Sequence, residues 1–401
     1  MSRVPRAILV VGASGFIGRH VADGLDRDGH SVRRASRPEI DLARDDAAAW
    51  RPRLQGVDVV VNCAGVFRGD FRRVHVHGAI ALFEACAARG VRVVQFSALG
   101  ADDAAASEFQ RSKQTADTAL LSLAVPSIVL QPSLVHGEGG ASARLFAMLA
   151  SLPLIPLPGE GAQRIQPVHI DDVVDAVRAV VRSDFFPRAR LALVGPEPST
   201  LRDYLAQLRR SMGLGHARYV RMPRALVGFA AGSGIGLVDR GSLAMLERGN
   251  TADASALRDL LGREPKPAAK FDVRARDAQL GWLMPLLRVA IASVWLTAGV
   301  VSAGVFPVEE SLAMLARTGI TGTAATFALH AAAAFDFAIG IATLALRRRR
   351  ALWTLQLAAI LGYTAIITVF LPEQWLHPFG PVVKNLPLLA AILLLRQVEA
   401  R

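Results

Sequence analysis

Three runs in the last third of this 401-residue chain are almost free of charge. Val289 to Val308 has none, Thr318 to Leu346 has the single acid Asp336, and Ala351 to Pro372 has none. Each is long enough to cross about 30 Å of hydrocarbon at about 1.5 Å of helical rise per residue. Buried helices of a soluble bundle would keep a polar face, and the first and third runs lack one. A fourth apolar stretch, Pro378 to Leu395, contains Lys384 and Pro387. We therefore expect an all-α four-helix transmembrane domain over residues 286–401, with spans at about 289–308, 324–346, 351–371 and 379–395. The 52% hydrophobic content agrees with part of the chain lying in lipid.

Arg347 to Arg350 separate the second and third runs, whereas the segments after the first and third carry Glu309, Glu310 and Glu373. The positive-inside rule places the arginine loop in the cytoplasm. An even number of spans then puts both termini there, in a multi-pass protein of the cell inner membrane. Asp336 falls near the middle of its span, where an ionised carboxylate is costly unless paired or protonated. His330 and Lys384 lie roughly 9 Å in from the outer ends of theirs. Asp336 and Lys384 are candidates for a quinone, proton or lipid site and equally for a contact that fixes helix packing.

Residues 1–275 read differently. Up to about residue 185, short β-branched runs alternate with Ala-rich helical stretches, and Ala7 to Val11, Val57 to Asn62, Val91 to Ser97 and Ser127 to Gln131 are the clearest strands. That alternation predicts an α/β fold with a Rossmann-type, doubly wound parallel sheet. Leu152 to Gly159, with prolines at 153, 156 and 158, reads as a loop into a second layer, because proline fixes φ and removes a donor. A small substrate region follows over about 135–275, and the glycine-interrupted apolar stretch Leu226 to Val238 packs within it or touches the bilayer surface.

The net charge of +12 comes from scattered arginines without an interleaved aromatic stripe or a nucleic-acid motif, so no nucleic-acid partner is expected. Cys63 and Cys86 have no CxxC or metal-ligand spacing, and His75 and His77 have no carboxylate at metal spacing, so no metal site is expected. The two histidines read as ordinary helix-start or loop residues. The sequence leaves the oligomeric state open.

Gly12-Ala13-Ser14-Gly15-Phe16-Ile17-Gly18 follows the first strand and opens a helix. Glycines at this spacing permit a tight turn, close backbone approach to a pyrophosphate and close helix-on-sheet packing, while the helix N-terminus supplies amides for the anion. Near the end of the second strand, where an acid would hold the ribose of NAD, the chain has Arg33, Arg34, Ser36 and Arg37. An acid would repel a 2′-phosphate, whereas Arg and Ser bind one. NADP is the expected cofactor, with NAD possible.

With this loop in place, Asn62-Cys63-Ala64-Gly65, Phe96-Ser97-Ala98 and Gln131-Pro132-Ser133-Leu134-Val135-His136-Gly137 resemble segments of the extended short-chain dehydrogenase/reductase family over roughly residues 5–275. Pro167 to Val173 and Val194 to Pro198 are similar to its atypical branch related to the complex I accessory subunit, whose members bind NADP and often have altered active sites. His377 to Pro387 resembles a DoxX-like four-helix membrane domain. The resemblance implies adenine contact by Asp41 and Leu42, an adenosine side lined by Ala64 and Gly65, a substrate-polarising hydroxyl on Ser97, and Lys113 on the nicotinamide ribose.

One departure separates binding from catalysis. The family places a Tyr four positions before the Lys to move a proton, and this chain has Phe109 before Lys113. Tyr204, Tyr219 and Tyr363 are remote in sequence, while Glu108 and His136 are titratable groups that could lie near the cleft. We expect a membrane-anchored oxidoreductase acting on a small-molecule or lipid-soluble substrate such as a quinone or lipid carbonyl. The alternatives are a catalytically silent NADP-binding sensor or assembly protein, and a nucleotide-sugar epimerase or dehydratase.

Overall fold

The structure is a computed structural model that describes residues 5–183, 186–223, 239–347, 349–378 and 380–399. The chain divides into two compact units, Met1–Gln279 and Leu280–Arg401. The stretch 226–238, expected to pack on the soluble domain or the bilayer, lies outside the described residues.

In the first unit, β1 (Ala7–Val11), β2 (Ser31–Ala35), β3 (Val59–Asn62), β4 (Arg92–Phe96) and β5 (Ser127–Pro132) come first. The short strands β6 (Val135–His136), β7 (Ile155–Pro158), β8 (Arg164–Ile165) and β9 (Val168–His169) build a second lobe before β10 (Ala189–Leu193) returns to the main sheet. The six-stranded sheet is wholly parallel in the order β2-β1-β3-β4-β5-β10, the doubly wound arrangement that the alternation predicts. Its two faces separate along each strand with period two. Ile8, Val10, Val59 and Val61 face α1 (Phe16–Arg27), while Leu9, Val11, Val60 and Val93 face the side of α2 (Ala47–Arg53) and α3 (Ala79–Ala87). The helix α4 (Glu108–Ser122), which carries Phe109 and Lys113, buries Ala116 and Leu120 on that second face.

The second lobe is built from α5 (Ala141–Ser151), α7 (Leu201–Ser211) and α8 (Arg240–Arg248) with the strands β11 (Ser199–Thr200) and β12 (Tyr219–Met222), whereas α6 (Ile170–Arg182) and α9 (Ser255–Leu261) pack with α1 on the first face of the main sheet. The proline-rich stretch expected to be a loop is instead β7, paired in parallel with β12. Ile155 N–H donates to the Arg218 carbonyl at 2.8 Å and Gly159 N–H to that of Met222 at 3.1 Å. The alternation of the strand turns Pro156 and Pro158 away from β12, where a missing N–H breaks no ladder bond.

In the second unit, α10 (Ala275–Val300), α12 (Gly322–Ala345) and α13 (Arg350–Phe370) are long and apolar enough to cross a membrane, with the short α11 (Val308–Ala316) between the first two. The α-helix of the first span, expected to run to 308, ends at 300, and the apolar helical stretch ends at Val305. A π-helical turn over Val301–Val305 contains Gly304 at φ +140°, outside the helical region, and the chain leaves it extended at Phe306. The last helix, α14 (Asn385–Val398), begins six positions after the expected start of its span at 379 and has 14 residues, about 21 Å of rise. Pro387 sits in its first turn, where a helix has no use for an amide proton. Alone it is shorter than the hydrocarbon thickness.

Arg288 on α10 and Arg349 before α13 both pair with Glu399 after α14, and Trp353 Nε1 donates to the same carboxylate at 3.1 Å. Arg317 pairs with Glu373 in the loops that follow α11 and α13. The middle of α10, the start of α13 and the end of α14 thus meet at Glu399. Between the helices, Trp295 Nε1 donates to Gln356 (2.9 Å), Gln356 Nε2 to Thr343 (2.9 Å), and the Tyr363 hydroxyl to Asp336 (3.2 Å). The partner of Asp336 is therefore a tyrosine on α13, and Lys384 is exposed.

Candidate functional site

β1 ends in the glycine loop, and the loop is held from two sides. Gly12 N–H donates to the Ala35 carbonyl at the end of β2 (2.8 Å), and Ser14 N–H to the Ser36 hydroxyl (2.9 Å). Gly12 has φ +79°, and a Cβ there would stand 2.8 Å from the backbone of Ala64, just after β3. A Cβ on Gly18 would stand 2.2 Å from the Gly12 carbonyl oxygen. Gly15 caps α1 without a side-chain hydrogen bond, and no acid occupies the first turn. The first-turn amides of α1 therefore carry no internal anion, and the bare backbone fits a dinucleotide pyrophosphate. Ile17 packs against the sheet core, and the Phe16 ring lies edge-on to His20 at 5.3 Å, beneath Gly137 and Gly140.

Of the arginines at the end of β2, Arg33 donates to the Gln55 carbonyl (3.0 Å) and Arg34 pairs with Asp23 and Asp26. Arg37 is exposed just beyond Ser36, the residue that holds the loop. Asp41 accepts from Ala43 N–H at 3.1 Å, and the Leu42 carbonyl lies where a Cβ on Gly78 would fall, at 1.8 Å. On the other side of the cleft, Asn62 holds Ala64 N–H at 3.2 Å and is itself fixed by Gln95 at 2.8 Å. Lys113 is buried under this turn, its ammonium donating to the carbonyls of Phe96 (2.9 Å) and Ala64 (3.4 Å). A Cβ on Gly65 would be 3.4 Å from that ammonium and 3.2 Å from His75 Nε2. The structure thus brings the glycine loop, Ala64, Gly65 and Lys113 to one cleft.

His75 belongs to this cluster, although its sequence context reads as ordinary. It lies on a π-helical segment, Arg72–Gly78, and is buried. Val66 N–H donates to its Nε2 (2.9 Å), which leaves Nδ1 to donate to Ser112 (2.9 Å), and Ser112 in turn donates to the Phe109 carbonyl (2.7 Å). Burial holds the imidazole down to about 3, so it is neutral and keeps this tautomer. Phe109 itself lies among rings: Phe67 stacks on it at 5.0 Å, and Phe71 and His75 meet it edge-on at 6.1 and 5.4 Å.

Ser97 does not open into the cleft. It is buried and donates to Asp117, a residue one helical turn beyond Lys113 on α4 and without exposed surface. Its hydroxyl is engaged by that carboxylate, which separates it from the role of substrate polarisation that the resemblance implies. Glu108 is exposed in the first turn of α4. His136 belongs to another cluster in the second lobe, hydrogen-bonded to Tyr204 (3.2 Å) and stacked on Phe271 (4.5 Å), with burial holding it down to about 4.

Burial also sets the charges on α4. It lowers the Lys113 ammonium to about 8 and raises the Asp117 carboxyl from its ordinary 3.8 to about 6, with the Ser97 hydrogen bond and the Lys113 charge opposing the latter. A carboxyl raised on folding contributes stability below its unfolded value, near pH 4, and loses it as the pH climbs through about 6. Asp117→Asn keeps an acceptor for Ser97 and removes the titration. The variant should melt with the parent near pH 4 and be more stable at pH 8, by on the order of 2 kcal/mol. An offset that is the same at both pH values would show that Asp117 does not titrate in this range.

Residues 8–190 match the NAD dependent epimerase/dehydratase family, and residues 292–393 match the DoxX-like family. A ceramide reductase of Caulobacter vibrioides is 26% identical over 240 residues, 54% of this chain and 73% of that protein. Mitochondrial NADH dehydrogenase (ubiquinone) 1 alpha subcomplex subunit 9 of Arabidopsis thaliana is 25% identical over 240 residues, and the match spans 60% of that subunit. Among solved structures, an NADPH-dependent quinone oxidoreductase of Escherichia coli complexed with NADPH superposes with a TM-score of 0.53 at 19% identity, covering 66% of this chain and 97% of that one. A UDP-glucuronic acid 4-epimerase of Bacillus cereus, complexed with UDP-glucuronic acid and NAD, gives 0.51 at 19% identity, covering 69% and 99%. At such identities the likeness carries the fold alone. The chain joins an N-terminal domain of the NAD dependent epimerase/dehydratase family, NAD(P)-binding and similar to short-chain dehydrogenases, to a C-terminal DoxX-like domain.

Proposed function

We propose that the protein is a membrane-anchored, NADP-preferring oxidoreductase that acts on a membrane-soluble substrate, a quinone or a lipid carbonyl. The observation that carries this reading is the buried Lys113 ammonium beneath Ala64 and Gly65, in the same cleft as the bare glycine loop. The amides around Gly12, Ser14, Gly15, Phe16, Ile17 and Gly18 would hold the pyrophosphate. Asp41 and Leu42 would border the adenine, and Ala64 and Gly65 the adenosine side. Arg37 would take the 2′-phosphate, since Arg33 and Arg34 have partners elsewhere. When bound, a nicotinamide nucleotide supplies hydride chemistry. Lys113 would orient the nicotinamide ribose and place positive charge beside the reacting oxygen. Asp117 and Ser97 would set the position and charge of Lys113 from below, and His75 would hold the Val66 amide and with it the turn that carries Gly65.

The membrane unit supports a substrate drawn from the lipid phase, because tethering raises the local concentration of that pool. The basic Arg347–Arg350 end of the unit would face the cytoplasm of the cell inner membrane, with both termini on that side. A second reading, an NADP-binding sensor or assembly protein without turnover, is favoured by Phe109, which offers no proton.

Titration of the full-length protein in detergent with NADPH and NADH, followed by an acceptor screen, separates the two. NADPH should bind more tightly, and Arg37→Ala should weaken NADPH about tenfold while leaving NADH nearly unchanged. Equal losses for both nucleotides would remove the 2′-phosphate role, and tight NADPH binding with no turnover on quinone or carbonyl acceptors would select the silent reading.

A further inference from the structure

Phe67 is 74% exposed, although it stands two positions after Gly65 at the margin of the nucleotide cleft. Its inner face is not loose: it stacks on Phe109 with ring planes 20° apart, and Phe71 braces Phe109 from the edge at 74°. The position where the family carries a phenol is thus the floor of an aromatic stack whose outermost face is uncovered. Such a face has no hydrogen bond to offer. It offers a flat π surface in a fixed orientation, to which a planar ring adds in offset geometry.

The missing proton donor bears on the same question. Delivering a hydride to an isolated ketone leaves an alkoxide, whose conjugate acid is about as weak as water, so a donor has to act within the step. Delivering it to a quinoid ring leaves a phenolate, whose acid titrates near about 10. In that case the hydrogen and its electron pair reduce the ring to the hydroquinone monoanion, one oxygen becoming a hydroxyl and the other carrying the negative charge. Water then supplies the second proton, and the reductant is a reduced nicotinamide nucleotide. A buried ammonium, as at Lys113, stabilises the anion without having to give up its proton.

We infer that the outer face of Phe67, backed by Phe109 and Phe71, binds a quinoid or similarly flat conjugated ring, and that this substrate class makes the phenol dispensable. The inference rests on the oxidoreductase reading and chooses the quinone over the lipid carbonyl. The Phe67 ring sets the plane of the substrate, and the cleft beside Gly65 receives its reacting edge.

The test uses full-length protein in detergent, with a short-tailed benzoquinone and a long-chain keto-amide lipid as probes, read by equilibrium dialysis and by NADPH oxidation. Phe67→Ala should weaken quinone retention about tenfold, Phe67→Trp should preserve it, and neither should change the NADPH titration. Because Phe67 is largely in solvent, both variants should melt with the parent. If Phe67→Ala retains the quinone as tightly as the parent, the ring site is overturned. If the parent turns over the keto lipid and ignores the quinone, the oxidoreductase reading stands and this inference falls. Retention of the quinone at Phe67 by a protein that binds no nucleotide would keep the ring site and remove the oxidoreductase reading.

Discussion

Gly12→Ala should abolish nucleotide binding, with affinity for NADPH falling more than about a hundredfold by isothermal titration of the full-length protein. Two effects combine at this position. An L-residue at φ +79° is in the left-handed region, which costs roughly 1–2 kcal/mol. The added Cβ would also meet Ala64 Cα and N at 2.8 Å, and these are backbone atoms that no rotamer change can move. Relief requires the loop to lift away from β3, which carries the amides of Ser14 to Gly18 out of register with the pyrophosphate. Gly29→Ala is the matched control. Gly29 has φ +83°, yet none of the described residues comes within 4 Å of its Cβ position, and it follows α1 at the end away from the loop. It should lose comparable stability and keep nucleotide affinity. Equal loss of affinity in the two variants would mean that strain alone, and not the close approach of loop and β3, is responsible.

The parts of this architecture that depend on local composition could be read from the chain. The strands at 7–11, 59–62, 92–96 and 127–132 are short β-branched runs between amphipathic helices, and each glycine of the loop answers to one steric demand. The three long apolar helices are equally local, since hydropathy over about twenty residues decides them. Features set by tertiary context were not readable. The π-helical segment at 72–78 shifts the helical register, and that shift is what turns His75 onto Gly65 and Val66. The direction of the Ser97 hydroxyl depends on a carboxylate twenty positions away. That carboxylate had a signal of its own: Asp117 follows Lys113 by four residues on an amphipathic helix, so the two share a face. Nothing in the spacing announced that Phe67 and Phe71 would enclose Phe109, because their approach is made by the loop after β3.

Lys113→Met should reduce turnover by about a hundredfold to a thousandfold while leaving the protein folded. The ammonium is buried and held by the Phe96 and Ala64 carbonyls, so its charge is fixed where a developing oxyanion would meet it, and a thioether of similar length keeps the volume without the charge. Stability should move little, because two effects oppose each other. Burial lowers the lysine to about 8, and a lysine lowered on folding contributes stability above its unfolded value that is lost as the pH falls through about 8. At neutral pH the parent therefore bears the strain of a desolvated charge, which methionine removes. Against this, the two carbonyls lose their donor, at about 1–3 kcal/mol. Lys113→Arg should not rescue activity, since a planar guanidinium does not reproduce the compact ammonium that donates to the Phe96 and Ala64 carbonyls. The parent's turnover should decline above about pH 8, as the lysine gives up its proton. The measurements are steady-state turnover from pH 6 to 10 and melting temperature for parent and both variants. Turnover in Lys113→Met within a few-fold of the parent, at an unchanged melting temperature, would show that the ammonium serves the fold and not the reaction.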